Sequence, residues 1–156
     1  MGADGIHVRP ARPEDRDAWL RMRCALWPEG AESEHAAEID RFFAGTLDNP
    51  LEVLLAVDAR GAPLGFAELS IRAYAEDCVT DRVAYLEGWY VVPEARRRGV
   101  GRALVSAAEV WGSGQGCTEF ASDALLDNEI SARAHRALGF TETVQIRCFR
   151  KALDAP

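Results

Sequence analysis

The chain has 156 residues, of which 48% are hydrophobic and 28% charged, and these values are ordinary for a single globular domain with its own core. Its 25 acidic and 18 basic residues give a formal net charge of −7, which argues against a nucleic-acid-binding protein because such proteins usually carry a basic surface. No apolar stretch is as long as a membrane span, and the first residues lack the regions of a secretory signal, so we expect a cytoplasmic protein with no membrane partner.

The first half of the chain predicts two helices and four strands. Pro13 suits the first turn of a helix, and Trp19, Met22 and Leu26 recur at the spacing that gives this helix one apolar face. Short apolar runs bounded by turn residues predict the strands. The predicted elements are a strand at Ile6–Val8, a helix from Pro13 to a stop at Pro28–Gly30, a helix over His35–Leu47, and strands at Val53–Val57, Leu64–Arg72 and Val83–Val92.

The second half predicts helices that alternate with strands. We expect Gly112 and Gly114 to end the first helix, Asp127 or Asn128 to cap the second, and Gly139 to close it. The predicted elements are a helix over Gly99–Trp111, a strand at Thr118–Ser122, a helix with Ile130, Ala134 and Leu138 on one face, and a final strand region at Thr141–Arg150. The order β-α-α-β-β-β-α-β-α-β predicts a mixed α/β (α+β) sandwich.

A tight turn between the longest strand and the next helix is the most informative motif. An apolar run ends at Pro93, and the residues from Arg96 to Gly101 then follow the order Arg-x-x-Gly-x-Gly. Unpaired N–H groups and the positive end of a helix dipole suit a pyrophosphate, and glycines let the backbone come close to it. The order differs from the dinucleotide fingerprint and from the P-loop. A basic turn that only caps an amphipathic helix would have the same sequence.

Two signatures together resemble the GNAT superfamily of N-acetyltransferases. Arg-x-x-Gly-x-Gly resembles its coenzyme A pyrophosphate loop, and the segment from Asn128 to Gly139-Phe140 resembles its second signature, an Asn-led helix that ends in Gly-Phe. The resemblance implies the GNAT fold, with a mixed six- to seven-stranded sheet flanked by about four helices, in a single domain over residues 1–156. It also implies acetyl-CoA as cosubstrate.

A finer pattern resembles one branch of the superfamily, the bacterial aminoglycoside 6′-N-acetyltransferases. Three short segments that carry it are Leu-Trp-Pro at 26–28, Leu-Glu-Gly at 86–88 and Ala-Ser-Asp at 121–123. The branch implies a small-molecule aminoglycoside substrate, direct attack of its 6′-amine on the thioester, and a homodimer in which C-terminal strands pack across the interface. The apolar stretch near Val144–Phe149 permits such an interface and would serve equally as a buried edge strand in a monomer.

Glu87 and Asp123 are the candidate residues for handling the amine. With a period of two, Val83, Tyr85, Glu87, Trp89 and Val91 share one face of the long strand, and a carboxylate there is costly unless it has a partner or a function. Glu87 would accept a hydrogen bond from the substrate ammonium and help to remove its proton through water, or it would form a structural ion pair with an arginine. Asp123 would contact the amine-bearing sugar, as the resemblance implies, or cap a turn.

The resemblance assigns further residues to the two substrates. His135 stands where many GNAT enzymes have a tyrosine as the acid for the thiolate, so it is a candidate acid only. Trp27 and Tyr74 match substrate-contact positions, and either would serve equally in packing. We expect the acetyl-CoA site to comprise Trp89, Tyr90, Val91, Arg96, Arg97, Arg98, Gly99, Val100, Gly101, Arg102 and Asn128.

Two alternatives to this function remain open. An acetyltransferase for a polyamine, a small metabolite amine or a peptide N-terminus would attract its substrate with the same carboxylates. A coenzyme A-binding module without turnover would keep the loop alone. The four cysteines lie far apart with no Cys-x-x-Cys pair, and there are three histidines, so we expect no metal site and no acyl-enzyme.

Overall fold

The computed structural model describes residues 5–154, which divide into two compact units at Asp123/Ala124. The second unit contains one helix, α4 (Glu129–Ala137), within the described residues. The first unit contains the sheet and the other helices: β1 (His7–Pro10), a 3₁₀ turn (Pro13–Asp15), α1 (Arg16–Leu26), α2 (Glu32–Phe43), β2 (Glu52–Val57), β3 (Pro63–Arg72), β4 (Val83–Val91), a second 3₁₀ turn (Pro93–Ala95), α3 (Val100–Gly114) and β5 (Phe120–Ser122).

The strands of the first unit form one mixed sheet in the order β1-β2-β3-β4-β5. Neighbouring strands from β1 to β4 are antiparallel, whereas β5 is parallel to β4. The mixed α/β class is therefore confirmed. The described residues form five strands, fewer than the six to seven that we expected.

The predicted strand at Thr141–Arg150 is the largest difference from expectation. Residues 141–154 have no regular secondary structure, and Val144, Ile146 and Phe149 are 48%, 55% and 92% exposed. A strand exists only where its backbone groups pair with a neighbouring strand, so an apolar pattern alone cannot create one. The strand prediction is wrong for this chain taken alone.

Gly112 was expected to end α3, but the helix continues to Gly114. A Cβ at Gly112 would lie 2.8 Å from the Cβ of Ala84 in β4. The glycine therefore permits a close approach of helix and sheet, and its helix-stop signal was misleading.

α1 and α2 pack on one face of the sheet, and α3 packs on the other. On the first face, Trp19 and Ile39 of the two helices are buried together with Phe66 of β3. On the other face, a Cβ at Gly65 of β3 would lie 3.3 Å from Leu104 of α3. The two helical layers hold both faces of β4, the strand that carries the candidate site.

Candidate active site

Glu87 is the extra residue of a β-bulge in β4. Glu68 of β3 is paired with Gly88, and the next residue, Leu69, is paired with Leu86, so Glu87 has no partner in the register. A bulge interrupts the alternation of side chains along a strand and re-aims the residue that it carries. The site is therefore centred on an irregularity that no periodic pattern predicts.

The bulge makes the predicted common face of β4 wrong. Paired residues of antiparallel strands point to the same side, and Tyr85 is paired with Ser70 whereas Tyr90 is paired with Phe66. Ser70 and Phe66 are an even number of residues apart in β3, so their side chains point to the same side of the sheet, which for Phe66 is the side of α1 and α2. Tyr85 and Tyr90 therefore also lie on that side. Trp89 lies on the opposite side, since a Cβ at Gly101 of α3 would touch its ring. Tyr85 and Trp89 therefore do not share a face.

The Glu87 carboxylate is held by side chains of β3. Arg72 donates from Nε to Oε1 at 2.9 Å and from Nη2 to Oε2 at 2.7 Å, and the hydroxyl of Ser70 also donates to Oε1. Burial acts to raise the pKa of Glu87, but the hydrogen bonds from Arg72 and Ser70 and the charge of Arg72 outweigh it and hold this pKa below its ordinary value. The structural ion pair with an arginine, one of the two roles that we predicted for Glu87, is therefore present.

Arg72 also links Glu87 to Asp123. Its guanidinium carbon lies 3.6 Å from the centre of the Tyr85 ring, and the Tyr85 hydroxyl donates to Oδ2 of Asp123 at 2.9 Å. Burial, followed by the hydrogen bond to Asp123, raises the pKa of Tyr85, so this phenol remains a donor. The structure thus brings together the two predicted carboxylates, Glu87 in β4 and Asp123 after β5. The residues that link them, Arg72 and Tyr85, were not predicted as site residues.

Trp27 lies against the bulge. It follows the last residue of α1, and a Cβ at Gly88 would be only 2.5 Å from its Cη2 atom. The Arg23 guanidinium lies 5.3 Å from the Trp27 ring, and His35 stacks at 6.4 Å with its Nε2 atom 3.1 Å from the Trp27 carbonyl oxygen. Trp27 is therefore fixed beside Glu87.

Tyr74, the other predicted substrate contact, differs from Trp27 in its surroundings. It lies in the loop after β3, and 69% of its surface is exposed. Nothing in its packing explains an aromatic residue there, so a role in substrate contact stays a prediction.

The turn before α3 has the backbone shape of an anion-binding loop. Arg97 and Gly99 have positive φ angles of 61° and 84°, whereas Arg98 between them does not. Turns that contain left-handed residues can direct successive N–H groups into one concavity, a nest that suits phosphate. α3 begins at Val100, whose side chain is buried, so this residue can contribute only its backbone.

The two glycines of the motif have different physical roles. Gly99 supplies the left-handed conformation, and a Cβ there would meet nothing within 4 Å. At Gly101, a Cβ would lie 2.9 Å from the Trp89 ring. The absence of a side chain at Gly101 is thus explained by the packing of α3 on β4.

β5 pairs with only part of one edge of β4, and amide groups of β4 lie along the rest of that edge. Val92 N donates to Leu64 O at 3.0 Å, and alternation in an antiparallel ladder then directs the N–H groups of Val91 and Trp89 to the opposite edge. β5 pairs with β4 only over 84–86. These two amides are therefore placed where an extended ligand could pair with the strand.

Two other predicted cofactor residues, Tyr90 and Arg96, also have contacts that stabilise β4. Tyr90 packs on Phe66 with ring centres 6.3 Å apart. Arg96 donates from Nε to the Val91 carbonyl oxygen at 3.0 Å, which leaves this guanidinium bound to the end of β4. The side chains of Arg97, Arg98 and Arg102 are exposed.

Asn128 and His135 belong to the second unit. Oδ1 of Asn128 accepts a hydrogen bond from Ser131 N at 3.1 Å, so Asn128 is the N-cap of α4. His135 Nδ1 lies 2.8 Å from the Ser131 carbonyl oxygen, which can only accept, so Nδ1 carries a proton. The neutral ring therefore has no proton on Nε2 and could act as an acid there only as imidazolium.

Within residues 5–154, no cluster of three or more His, Cys, Asp or Glu side chains could hold a metal ion. The four cysteines form no disulfide. In the same range, no helix has the length and apolarity that a membrane crossing requires.

Known proteins resemble this chain over nearly its whole length. Residues 17–140 match the acetyltransferase (GNAT) family. The chain is 60% identical to an aminoglycoside N(6′)-acetyltransferase type 1 of Klebsiella aerogenes, over 94% of this chain and 96% of that one. It is similar to the solved 6′-N-acetyltransferase AAC(6′)-Ih of Acinetobacter baumannii, with 38% identity, coverage of 96% and 100%, and a TM-score of 0.87. It is also similar to AAC(6′)-Iy in complex with a bisubstrate analogue, CoA-S-monomethyl-acetylneamine, with 36% identity, coverage of 95% and 99%, and a TM-score of 0.86.

Proposed function

This chain belongs to the acetyltransferase (GNAT) family, and we propose that it transfers the acetyl group of acetyl-CoA to the 6′-amine of an aminoglycoside. The observation that carries the proposal is the 60% identity to an aminoglycoside N(6′)-acetyltransferase across almost the full length of both chains. The arrangement of charge and backbone around β4 suits both substrates of that reaction.

The donor side of the site comprises the turn before α3 and the open edge of β4. The nest at Arg97–Gly99 and the N-terminus of α3 would hold the pyrophosphate of acetyl-CoA. The amides of Trp89 and Val91 would pair with its pantetheine arm, and the Val91 amide would donate to the thioester carbonyl oxygen as negative charge develops there. Asn128 would contact the same arm.

The acceptor side of the site is anionic. Aminoglycosides are polycations at neutral pH, and Glu87 and Asp123 lie on the same side of the sheet edge, linked by Tyr85 and Arg72. A chain with a net charge of −7 adds a favourable field for such a substrate. The rings of Trp27 and Tyr74 would pack against the apolar faces of sugars.

The reaction needs a neutral amine, because an ammonium group has no lone pair. The ammonium proton would pass to water that is hydrogen-bonded by the carboxylates, and the amine nitrogen would then attack the thioester carbon. The nitrogen of the tetrahedral intermediate would lose a second proton to the same water, and collapse of the intermediate would break the C–S bond and release the coenzyme A thiolate. His135 is a candidate to protonate that thiolate, although the coenzyme A thiol is acidic enough for its thiolate to leave unaided.

The assembly and location form part of the same proposal. We infer a homodimer in which residues 141–154 of each protomer pack on the partner, since this apolar segment exposes Val144, Ile146 and Phe149. The family match crosses the boundary at 123/124, which supports one functional domain. Dependence on acetyl-CoA favours the cytoplasm.

The direct test is release of coenzyme A thiol from acetyl-CoA in the presence of a panel of amines. A kanamycin-class substrate with a 6′-amine should give turnover, and a derivative with a 6′-hydroxyl should give none. Turnover with polyamines but no aminoglycoside would support the first alternative. Thermal stabilisation by acetyl-CoA without thiol release on any amine would support a binding module.

A further inference from the structure

Donors of β3 occupy three of the acceptor sites of the Glu87 carboxylate and leave one on Oε2. Oε1 accepts from Ser70 and from Nε of Arg72, and Oε2 accepts from Nη2 of Arg72. Asn49 also acts to lower the pKa of Glu87, less than Arg72 and Ser70 do. An ionised carboxylate offers about four lone-pair sites. A base whose lone pairs are occupied in this way is poorly suited to take up a proton from an amine.

Arg72 is itself held firmly. Its two hydrogen bonds to Glu87 have the parallel geometry that only a guanidinium provides. Its plane rests on the Tyr85 ring at 3.6 Å, and Tyr85 is bonded to Asp123. The exposed fraction is 41% for the Arg72 side chain and 17% for that of Glu87, so the arginine covers the carboxylate from the solvent side.

We propose that Arg72 is a positioning residue: it keeps the Glu87 carboxylate ionised and in one orientation, so that Glu87 holds the acceptor's ammonium group as a permanent anion and does not take its proton. The inference rests on the proposed function for the identity of that cation. The proton then leaves the ammonium nitrogen for a water at the exposed carboxylate of Asp123, and from there for bulk solvent.

The electrostatic balance at Glu87 agrees with this role. Burial alone would raise the pKa of Glu87, and the contacts from Arg72 and Ser70 reverse that effect. The charged or titratable groups that face Glu87 are Arg72 of β3 and Tyr85 of β4, and Asp123 acts on both. Loss of the guanidinium would leave burial opposed by Ser70 and Asn49 only, and the pKa of Glu87 would rise.

The decisive experiment is a ¹³C NMR titration of the Glu87 carboxyl group in the apoprotein, with Glu87→Gln to assign the signal. Arg72→Gln should move the titration to higher pH, and Arg72→Lys should move it less, because it keeps the charge and loses the fork. Arg16→Gln is the matched control, since it breaks a bidentate pair with Asp40 elsewhere. An unchanged Glu87 titration in Arg72→Gln or, if that variant does not fold, in Arg72→Lys overturns the inference.

Kinetics supply a second readout. A rise of one pKa unit makes the anion up to about tenfold scarcer, and the full effect appears only at pH values below both the original and the raised pKa. Arg72→Gln should therefore lower kcat/KM for the aminoglycoside increasingly as the pH falls from 8 to the raised pKa that the NMR titration gives, and leave the KM for acetyl-CoA nearly unchanged. A loss that is constant over this pH range would contradict the inference. Absence of any aminoglycoside turnover in the wild type would refute the proposed function, and the NMR titration would still decide the relation of Arg72 to Glu87.

Discussion

Trp27 lies on Gly88, with its Cη2 atom at the place that a Cβ of residue 88 would need. This contact joins the end of α1 to the bulge of β4, directly beside Glu87. It explains the glycine in Leu-Glu-Gly, because any side chain would push the indole away from the strand.

Substitution of Gly88 therefore tests whether the position of Trp27 matters for the acceptor. Gly88→Ala places a Cβ 2.5 Å from the ring, which must shift. We expect the aminoglycoside KM to rise several-fold while the KM for acetyl-CoA stays near the wild-type value, as measured by steady-state thiol release. Gly114→Ala is the control, since nothing lies within 4 Å of its Cβ position. Equal effects on both substrates would point to general damage to β4.

Substitutions at Gly99 test the proposed anion-binding turn without a steric clash with other residues. Asn and Asp tolerate its left-handed backbone better than other residues do, and a Cβ there meets open space. Gly99→Asp adds a negative charge to the nest, whereas Gly99→Asn has the same shape without the charge. We expect Gly99→Asp to raise the KM for acetyl-CoA much more than Gly99→Asn does. Similar KM values in the two variants would refute the pyrophosphate assignment. Gly101→Asp is a less specific probe because its side chain would collide with Trp89.

Glu87→Gln removes the charge of the bulge residue and keeps its shape. Loss of a positioned acid–base group costs on the order of 10²–10⁴ in rate, and we expect a loss no greater than the low end because Glu87 holds the ammonium group as an anion and does not take its proton. The loss should fall on kcat/KM for the aminoglycoside and spare acetyl-CoA affinity, and the acidic limb of the pH–rate profile should disappear or move. Wild-type kinetics with an unshifted profile would mean that Glu87 serves only its ion pair with Arg72.

Asp123→Asn should act chiefly on aminoglycoside affinity, since it removes one counter-charge for a polycation. Tyr85 can still donate to the amide oxygen, so the local structure should persist. Added salt should weaken aminoglycoside binding to the wild type more than to this variant, as titration calorimetry at two ionic strengths would measure. An identical salt dependence would exclude Asp123 from the acceptor site.

A buried ion pair under the acceptor side sets the stability of the α1–sheet contact. Arg23 Nε lies 2.9 Å from Oε1 of Glu68, which also accepts from Trp19 Nε1 at 3.0 Å. Arg23→Met leaves this carboxylate without its cation and should lower the free energy of unfolding by about 3–5 kcal/mol in urea melts at pH 7.

The pH dependence of that loss has a definite sign. Burial raises the pKa of Glu68, so its protonated form is favoured in the folded state and stability falls as the pH rises through this range. The decrease in the free energy of unfolding that Arg23→Met causes should therefore be smaller at pH 5 than at pH 7. The double variant Arg23→Met/Glu68→Gln should be more stable at pH 7 than Arg23→Met. No recovery in the double variant would show that Arg23 acts through its other contacts, the ion pair with Glu38 and the packing on Trp27.

Local patterns were sufficient to predict the elements up to α4 and the turn before α3. The order of these strands and helices follows from apolar periodicity and turn residues, and Arg-x-x-Gly-x-Gly lies where α3 begins, at a turn with left-handed residues. The family and the mixed sheet were predicted from the same residues and are confirmed.

Features that depend on strand pairing could not be read from the sequence. The bulge at Glu87 exists only in the register of β3 with β4, and it reversed the predicted side of Trp89. Ser70, Arg72 and Tyr85 reach Glu87 and Asp123 through the same register. Residues 141–154 are the opposite case: their sequence has a strand-like pattern, but they form no strand because they pair with no neighbouring strand. The one local hint was the glycine at 88, which a buried strand rarely contains without a close approach.

The position of the acetyl group on the product decides whether this chain is a 6′-N-acetyltransferase. We predict that NMR of a kanamycin-class substrate after incubation with this protein and acetyl-CoA shows a single new N-acetyl group on the 6′-nitrogen. An acetyl group on the 3-amine or on a hydroxyl, or no acetylated aminoglycoside at all, would contradict the account.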